Sequence, residues 1–173
     1  MKQADFDEKL IERIAAGDGS AFREVYEVTS GAVYGYALSI LKDPHRAEDV
    51  MHDAYLKLYA NAGNYRPMGK PLAWVLVIVR NLCLSELRKE QPAEYSEAVA
   101  EPRPGRREDE QTEARVLIET ALAHLSDEEA QIVTLHALTG WKMREIACLT
   151  GLPTSTVLSK YNRALKKMKQ ILS

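Results

Sequence analysis

With 46% apolar, 28% charged and 7% aromatic residues, the 173-residue chain has the composition of one globular domain or two small ones. Seven Pro and nine Gly are too few for a collagenous or wholly disordered chain, and the longest apolar run, Leu72 to Val79, falls far short of the about twenty residues a bilayer span needs, so no membrane is expected as a partner. The acidic start MKQADFDEKLIERI has no signal-type apolar core, and Cys83 and Cys148 stand far apart with no Cys-x-x-Cys pairing; both features suit a reducing cytoplasm rather than export, a disulfide scaffold or a cysteine zinc site.

In chain order, Leu10 and Ile14 begin a helical pattern that breaks at Gly17-Asp18-Gly19. The pattern resumes with Phe22, Val25, Tyr26, Val33, Tyr34, Ala37, Leu38 and Leu41 at three-to-four spacing. Asp43-Pro44 is a helix start, Asp as N-cap and Pro at the first helical position, and the pattern runs to about Ala62. Pro71 opens another helix that ends near Lys89. Its run Val75 to Val79 suits a buried strand by propensity alone, but the continuation Leu82, Leu84, Leu87 among good helix formers favours a helix buried on most of its circumference.

Residues 91–112 contain Pro92, Pro102, Pro104 and Gly105 and no Leu, Ile, Phe, Met or Trp. Such a stretch buries too little surface to offset its ordering entropy and is expected to be a flexible linker between modules 1–90 and 113–173. Beyond it, Ser126-x-x-Glu129 is a capping box ahead of Ile132, Val133, Leu135 and Leu138. No segment alternates with period two. The expected fold is all-α, two small helical domains joined by the linker.

The net charge of −2 hides an uneven distribution, because residues 154–173 hold Lys160, Arg163, Lys166, Lys167 and Lys169 and no acid. The surrounding segment MREIACLTGLPTSTVLSKYNRALKKMKQIL (143–172) reads as a short helix with Ile146, Ala147 and Leu149 inward and a turn at Gly151. A longer helix follows, capped by Thr154 or Ser155, with Val157, Tyr161, Ala164, Leu165 and Met168 on its buried side. Short helix, glycine turn and a basic second helix make a helix-turn-helix, whose second helix fits the DNA major groove. Its outer Thr154, Ser155, Thr156, Ser159, Lys160, Arg163 and Lys166 are the candidate DNA contacts: hydroxyls and amides for phosphates, Lys and Arg for base edges or backbone.

Together with that helix-turn-helix, DPHRAEDVMHDAYLKLYANAGNYRPMGKPLAWVLVIVRNLCLSELRK (43–89) and AGDGSAFREVYEVTSGAVYGYALSIL (16–41) make the chain resemble the extracytoplasmic-function (ECF) sigma factors, a small two-domain class of bacterial sigma factors. The resemblance implies that 1–90 is sigma region 2 and 113–173 region 4, with bacterial core RNA polymerase, through its largest-subunit clamp and its flap, and promoter DNA as partners. It places Glu48, Asp49, His52, Asp53 and Leu56 on the helix that docks on the polymerase clamp; Asp49, Asp53 and Leu56 fall at i, i+4, i+7, one stripe. It matches the loop 64–71 and the following helix to the part that melts the −10 element and holds an extruded base. There Tyr65 offers a stacking face, Arg66, Lys70 and Arg80 offer charge, and Asn81 can bond a base edge. Trp74 is read as core. Family members are usually held inactive by a cognate anti-sigma factor, so one is expected here. No catalytic residue, metal or other cofactor is implied, and the protein is not expected to be an enzyme.

Three departures from the family pattern stand out. His52 occupies a place where Gln is usual, Leu158 stands where a basic residue is common, and Lys160 where Arg is common, and Lys cannot make a bidentate base contact. Two other readings compete. His45, Asp49, His52 and Asp53 share a helical face at spacings a divalent metal can use, but no further ligand cluster completes a site: His124 and His136 are read as interhelical packing residues, and Cys83 and Cys148 as small core residues on helices. A plain helix-turn-helix regulator would explain 143–172 equally well, though not a second segment with melting-loop features.

Overall fold

The computed structural model describes residues 6–67, 69–89 and 113–173, so the linker reading for 91–112 lies outside the described residues. Eight α-helices and no strand are found among them: α1 (Lys9–Ala15), α2 (Gly19–Leu41), α3 (Pro44–Asn61), α4 (Pro71–Lys89), α5 (Glu113–Ala123), α6 (Asp127–Thr139), α7 (Met143–Thr150) and α8 (Thr154–Leu172). The all-α reading holds, and Val75–Val79 is helical.

Local chemistry sets the boundaries. Gly17, at φ +90°, turns the chain out of α1. The Asp18 carboxylate then accepts from the Ser20 and Ala21 amides at 2.9 and 3.3 Å while also taking the Arg13 guanidinium at 2.7 Å. That ion pair and its hydrogen bonds hold the Asp18 carboxyl below its ordinary pKa. Asp43 caps α3 through the His45 and Arg46 amides, with Pro44 at the first helical position. A single 3-10 turn, Ala62–Asn64, follows α3 and hands the chain to the loop before α4.

In the N-terminal half, α2 packs against α1, α3 and α4. Ile11 and Ile14 of α1, Val25, Val33, Tyr36 and Ala37 of α2, Val50, Ala54 and Leu58 of α3, and Val75, Leu76 and Val79 of α4 form its buried core. One polar link crosses this core. The Thr29 hydroxyl donates to Val25 O, so at 2.7 Å it accepts from the Tyr55 hydroxyl, whose pKa burial pushes up. In the C-terminal half, Leu122, Leu125, Ile132, Leu135, Ile146, Val157 and Ala164 are buried around α6.

The two halves are in contact, which no pattern in the sequence foretold. Helix α2 lies against α6, and Lys42, the left-handed residue that ends α2, reaches across to Leu125 O at 2.7 Å and Asp127 at 3.1 Å. The close approach falls at Gly35, where an added Cβ would stand 2.5 Å from Leu138 Cδ1. Four expectations are corrected. Leu165, read as part of the buried side of α8, is 42% exposed. Pro153 occupies the N-cap of α8, leaving Thr154 as its first residue and neither hydroxyl as a cap. Cys148 is exposed rather than core. His124 is exposed too, its Nδ1 2.8 Å from Thr120 O, whereas His136 does pack between helices, with its ring 5.0 Å from Tyr161.

A side chain much larger than methyl at position 35 cannot be absorbed by a shift of Leu138 alone. Gly35→Leu is therefore expected to part α2 from α6, raising the radius of gyration measured by small-angle X-ray scattering while helix content by circular dichroism stays unchanged.

Candidate nucleic-acid interface

The C-terminal site is built on α7, a glycine turn and α8. Gly151 takes φ +75° and its amide returns to Ala147 O at 2.9 Å, a left-handed C-cap that a residue with Cβ would strain. Val157 and Ala164 seat α8 on the core, with Tyr161 and Met168 packed beside them. This direction leaves Ser155, Ser159, Asn162 and Lys166, at i, i+4, i+7 and i+11, along the exposed crest. Ser155, Thr156, Ser159, Lys160 and Arg163 line one shallow open concavity of about 290 Å³, so five of the seven expected contacts share a surface. Thr154 is exposed at the helix start. Leu158, 49% exposed, lies on the outer face where a basic residue was expected.

The sequence did not reveal how α6 divides the charges of α8. Glu129 is 1% exposed: it accepts from the Ser126 amide at 3.0 Å in the capping box and from Lys167 Nζ at 2.8 Å, with Arg163 at 3.9 Å. Burial alone would raise its carboxyl, but the Lys167 and Ser126 hydrogen bonds and the charges of Lys167 and Arg163 outweigh it and hold the pKa below the usual value. Beside it, Glu128 pairs with Lys160 at 2.7 Å. Lys160 is thus half-buried against an acid, while Lys166 and most of Arg163 stay open to solvent. The only sequence signal for this network was the capping box, which explains Glu129 without needing α8.

On α3, Ala47, Val50, Met51, Ala54, Tyr55 and Leu58 face the core. The opposite face carries Asp53, Leu56 at 69% exposure, and His52, 3.9 Å from Glu48, with Glu48 and Asp49 half-exposed along the same side. Tyr59, 55% exposed and edge-on to Phe22, extends this surface. It was missed because its spacing from Tyr55 reads as core.

The 65–70 loop holds Arg66 and Lys70 outward. Tyr65 is half-buried: its ring packs on Trp74 at 5.0 Å and its hydroxyl donates to Glu8 at 2.8 Å. Asn81 is exposed, but it lies about 15 Å along α4 from the loop at 1.5 Å per residue. Arg80 turns inward with its Nε buried, and its guanidinium acts on the buried Tyr36 hydroxyl. Lys70, Ala73 and Val77 line one wall of a 480 Å³ cleft whose other wall is Trp141, Lys142, Cys148 and Leu149. For the competing metal reading of the α3 face, no group of three or more His, Cys, Asp or Glu among the described residues converges as metal ligands would.

Known proteins place this architecture. Residues 25–92 match the family Sigma-70 region 2, and residues 115–168 match Sigma-70, region 4. The ECF RNA polymerase sigma factor SigK of Mycobacterium sp. (strain KMS) is 33% identical over 90 residues, 51% of this chain, and the chain spans about half (47%) of that relative's length. RNA polymerase sigma factor CarQ of Myxococcus xanthus is 24% identical over 94% of this chain and 95% of its own. In fold, the chain is similar to CnrH as solved with the cytosolic domain of CnrY, with TM-score 0.68, 21% identity and 97% of both chains covered. It is also similar to the sigma factor RpoE of Bartonella quintana solved with the anti-sigma factor NepR, with TM-score 0.65, 23% identity, and 87% of this chain and 96% of that one covered. SigK, CarQ and RpoE are sigma factors, and the two regions matched along the chain are those of the sigma-70 family. The chain belongs to the ECF branch of that family. Among the described residues no helix is long and apolar enough to cross a membrane.

Two outcomes test the α6–α8 charges. Glu129→Gln is expected to lower stability by about 1–2 kcal/mol at neutral pH, since Lys167 and Arg163 can rehydrate once unpaired. Because the Glu129 pKa is depressed on folding, this contribution is present above the unfolded value of about 4.3 and is lost as pH falls through the lower folded value. Urea unfolding of both proteins across pH 3–7 should therefore converge at the acid end. Glu128→Ala should free Lys160 for a phosphate, steepening the salt dependence of duplex binding by up to about one unit of log K per log [salt].

Proposed function

We propose that this chain is an alternative sigma factor: it binds bacterial core RNA polymerase in the cytoplasm and directs promoter-specific initiation, with no catalytic residue or cofactor of its own. The observation that carries this reading is that one chain offers three separate exposed surfaces: an acid-free helix-turn-helix crest on α8, an acidic and apolar stripe on α3, and a basic loop at the start of α4. A stand-alone DNA reader needs only the first.

In this reading α8 enters the −35 major groove. Ser155, Ser159, Arg163 and Lys166 make the principal contacts, with Thr154 and Thr156 at the helix start, and Lys160 contributes once released from Glu128. The α3 face, with Glu48, Asp49, His52, Asp53 and Leu56, docks on a basic partner helix of the polymerase clamp; the flap holds the C-terminal module. Arg66, Lys70, Tyr65 and Asn81 handle the opened −10 strand, and Arg80 supports them from the α2 side.

The packed arrangement cannot serve both elements at once. A body of about 150 residues has a radius of gyration near 15 Å and so spans about 40 Å, while elements more than one and a half duplex turns apart stand roughly 55–60 Å from each other. Lys70 also faces the inter-module cleft. Polymerase binding therefore separates α2 from α6, and residues 91–112, which reach about 70 Å when extended, bridge the gap. The RpoE relative is complexed with an anti-sigma factor, and a cognate anti-sigma factor that keeps these modules from polymerase is part of this proposal.

Run-off transcription on sheared genomic DNA with bacterial core polymerase tests it: adding the protein should create new RNA 5′ ends that share two spaced upstream elements. Leu56→Asp, at an exposed position that costs no core packing, should weaken polymerase binding at least about tenfold while melting temperature stays constant. No new starts from a folded protein that binds duplex DNA unaided would favour the plain helix-turn-helix regulator.

A further inference from the structure

The Glu8 carboxylate has no part in the chemistry described so far, yet it is the acceptor on which the 65–70 loop closes. Glu8 occupies the N-cap of α1 but its side chain does not cap that helix; the neighbouring Asp7 carboxylate takes the Lys9 amide instead, at 3.0 Å. Glu8 points across to a loop some sixty residues further along. There a single oxygen, Oε2, accepts from the Tyr65 hydroxyl at 2.8 Å and from the Gly69 amide at 3.1 Å.

The two donors bracket the loop. Tyr65 begins it, anchored by its own amide on Ala62 O at 3.2 Å and by its ring on Trp74. Gly69 ends it at φ +73°, a conformation that suits glycine and fixes where its amide points. An acceptor on another helix that bonds both ends of a short loop restrains the chain between them. Hydrogen bonds to an ionised carboxylate are among the stronger ones available. Arg66 and Lys70, flanking the pinned points, are left facing outward.

We infer that Glu8 is a positioning residue for −10 recognition: it staples Tyr65 to Gly69 and so fixes the loop in the shape that discriminates the extruded base. The inference rests on the reading of 64–71 as the −10 loop. Glu8 touches no DNA in this scheme. It acts through the loop, and an unpinned loop would accommodate different bases with similar ease.

The test uses full-length protein, alone and in holoenzyme with core polymerase, as wild type, Glu8→Ala and Glu8→Gln. Glutamine keeps an acceptor oxygen for both donors and serves as the rescue. In the free protein, hydrogen exchange at the Gly69 amide should quicken about tenfold in Glu8→Ala and stay within about twofold of wild type in Glu8→Gln. In holoenzyme, binding is measured to single-stranded oligonucleotides that carry the −10 element mapped by run-off and its single-base variants. Glu8→Ala should lower the preferred-to-variant affinity ratio about tenfold at the extruded base, with polymerase affinity unchanged and Glu8→Gln restoring the ratio.

Unchanged selectivity in Glu8→Ala, a gain of selectivity, or a loss spread evenly over all positions and matched by Glu8→Gln would overturn the inference. A wild-type holoenzyme with no base preference on the −10 strand would instead remove the sigma reading of the loop, and the inference with it.

Discussion

Residues 36–41 of α2 are buried without interruption, which a helix achieves only when it is packed on opposite sides at once. Ile11, Ile14 and the inner faces of α3 and α4 cover one side, and α6 covers another. The polar members of this stretch are satisfied within it, as Ser39 Oγ donates to Tyr36 O at 2.6 Å. The Tyr36 hydroxyl instead lies buried under the influence of the Arg80 guanidinium from α4. Because α2 is shared, the two modules meet along an apolar helix rather than hanging from a tether. The small residue Gly35 and the bridging Lys42 mark where they touch.

Electrostatics follows from that packing. Helix α6 is held between α2 and α8, so its first-turn acids Glu128 and Glu129 sit against the basic side of α8. A helix with five cations and no acid is thereby split lengthwise. One row, Lys160 and Lys167 with Arg163 at its edge, is tied inward, and another, with Ser155, Ser159, Asn162 and Lys166, is left for an outside anion. Carboxylates near the start of α6 also favour its dipole, so one cluster of acids stabilises a helix terminus and sets the charge pattern of its neighbour. Similar economy holds at Glu8, where a residue at one helix start disciplines a loop at another.

The elements themselves were legible because their signals are local. Asp43-Pro44, Ser126-x-x-Glu129 and Gly151 each fix a helix end through contacts within a few residues, and all three lie where the pattern put them. Where a local signal was ambiguous it misled. Thr154 and Ser155 are good caps by type, but Pro153 already holds the extended backbone that the cap needs. Cys148 falls at helical spacing beside Ala147, yet the face it occupies opens onto the inter-module cleft. Tyr59 fits a core pattern and stands outside it.

The candidate site divides along the same line. Residue types and spacing along single helices were sufficient for the crest of α8 and the outer face of α3, since a helix with its buried side known has its exposed side fixed. The inward turn of Arg80, the pairing of Lys160 with Glu128, the burial of Glu129 and the reach of Glu8 to Tyr65 and Gly69 were not readable. Each depends on what a different helix, far away in sequence, brings within 3 or 4 Å, and periodicity carries no information about that. The sequence by itself determined the all-α fold, the helix ends at Asp43, Ser126 and Gly151, the helix-turn-helix and the family. Tertiary packing alone decided which charges are free, which are spent, and that the two modules lie against one another, because those depend on distances between elements rather than on the order of residues within them.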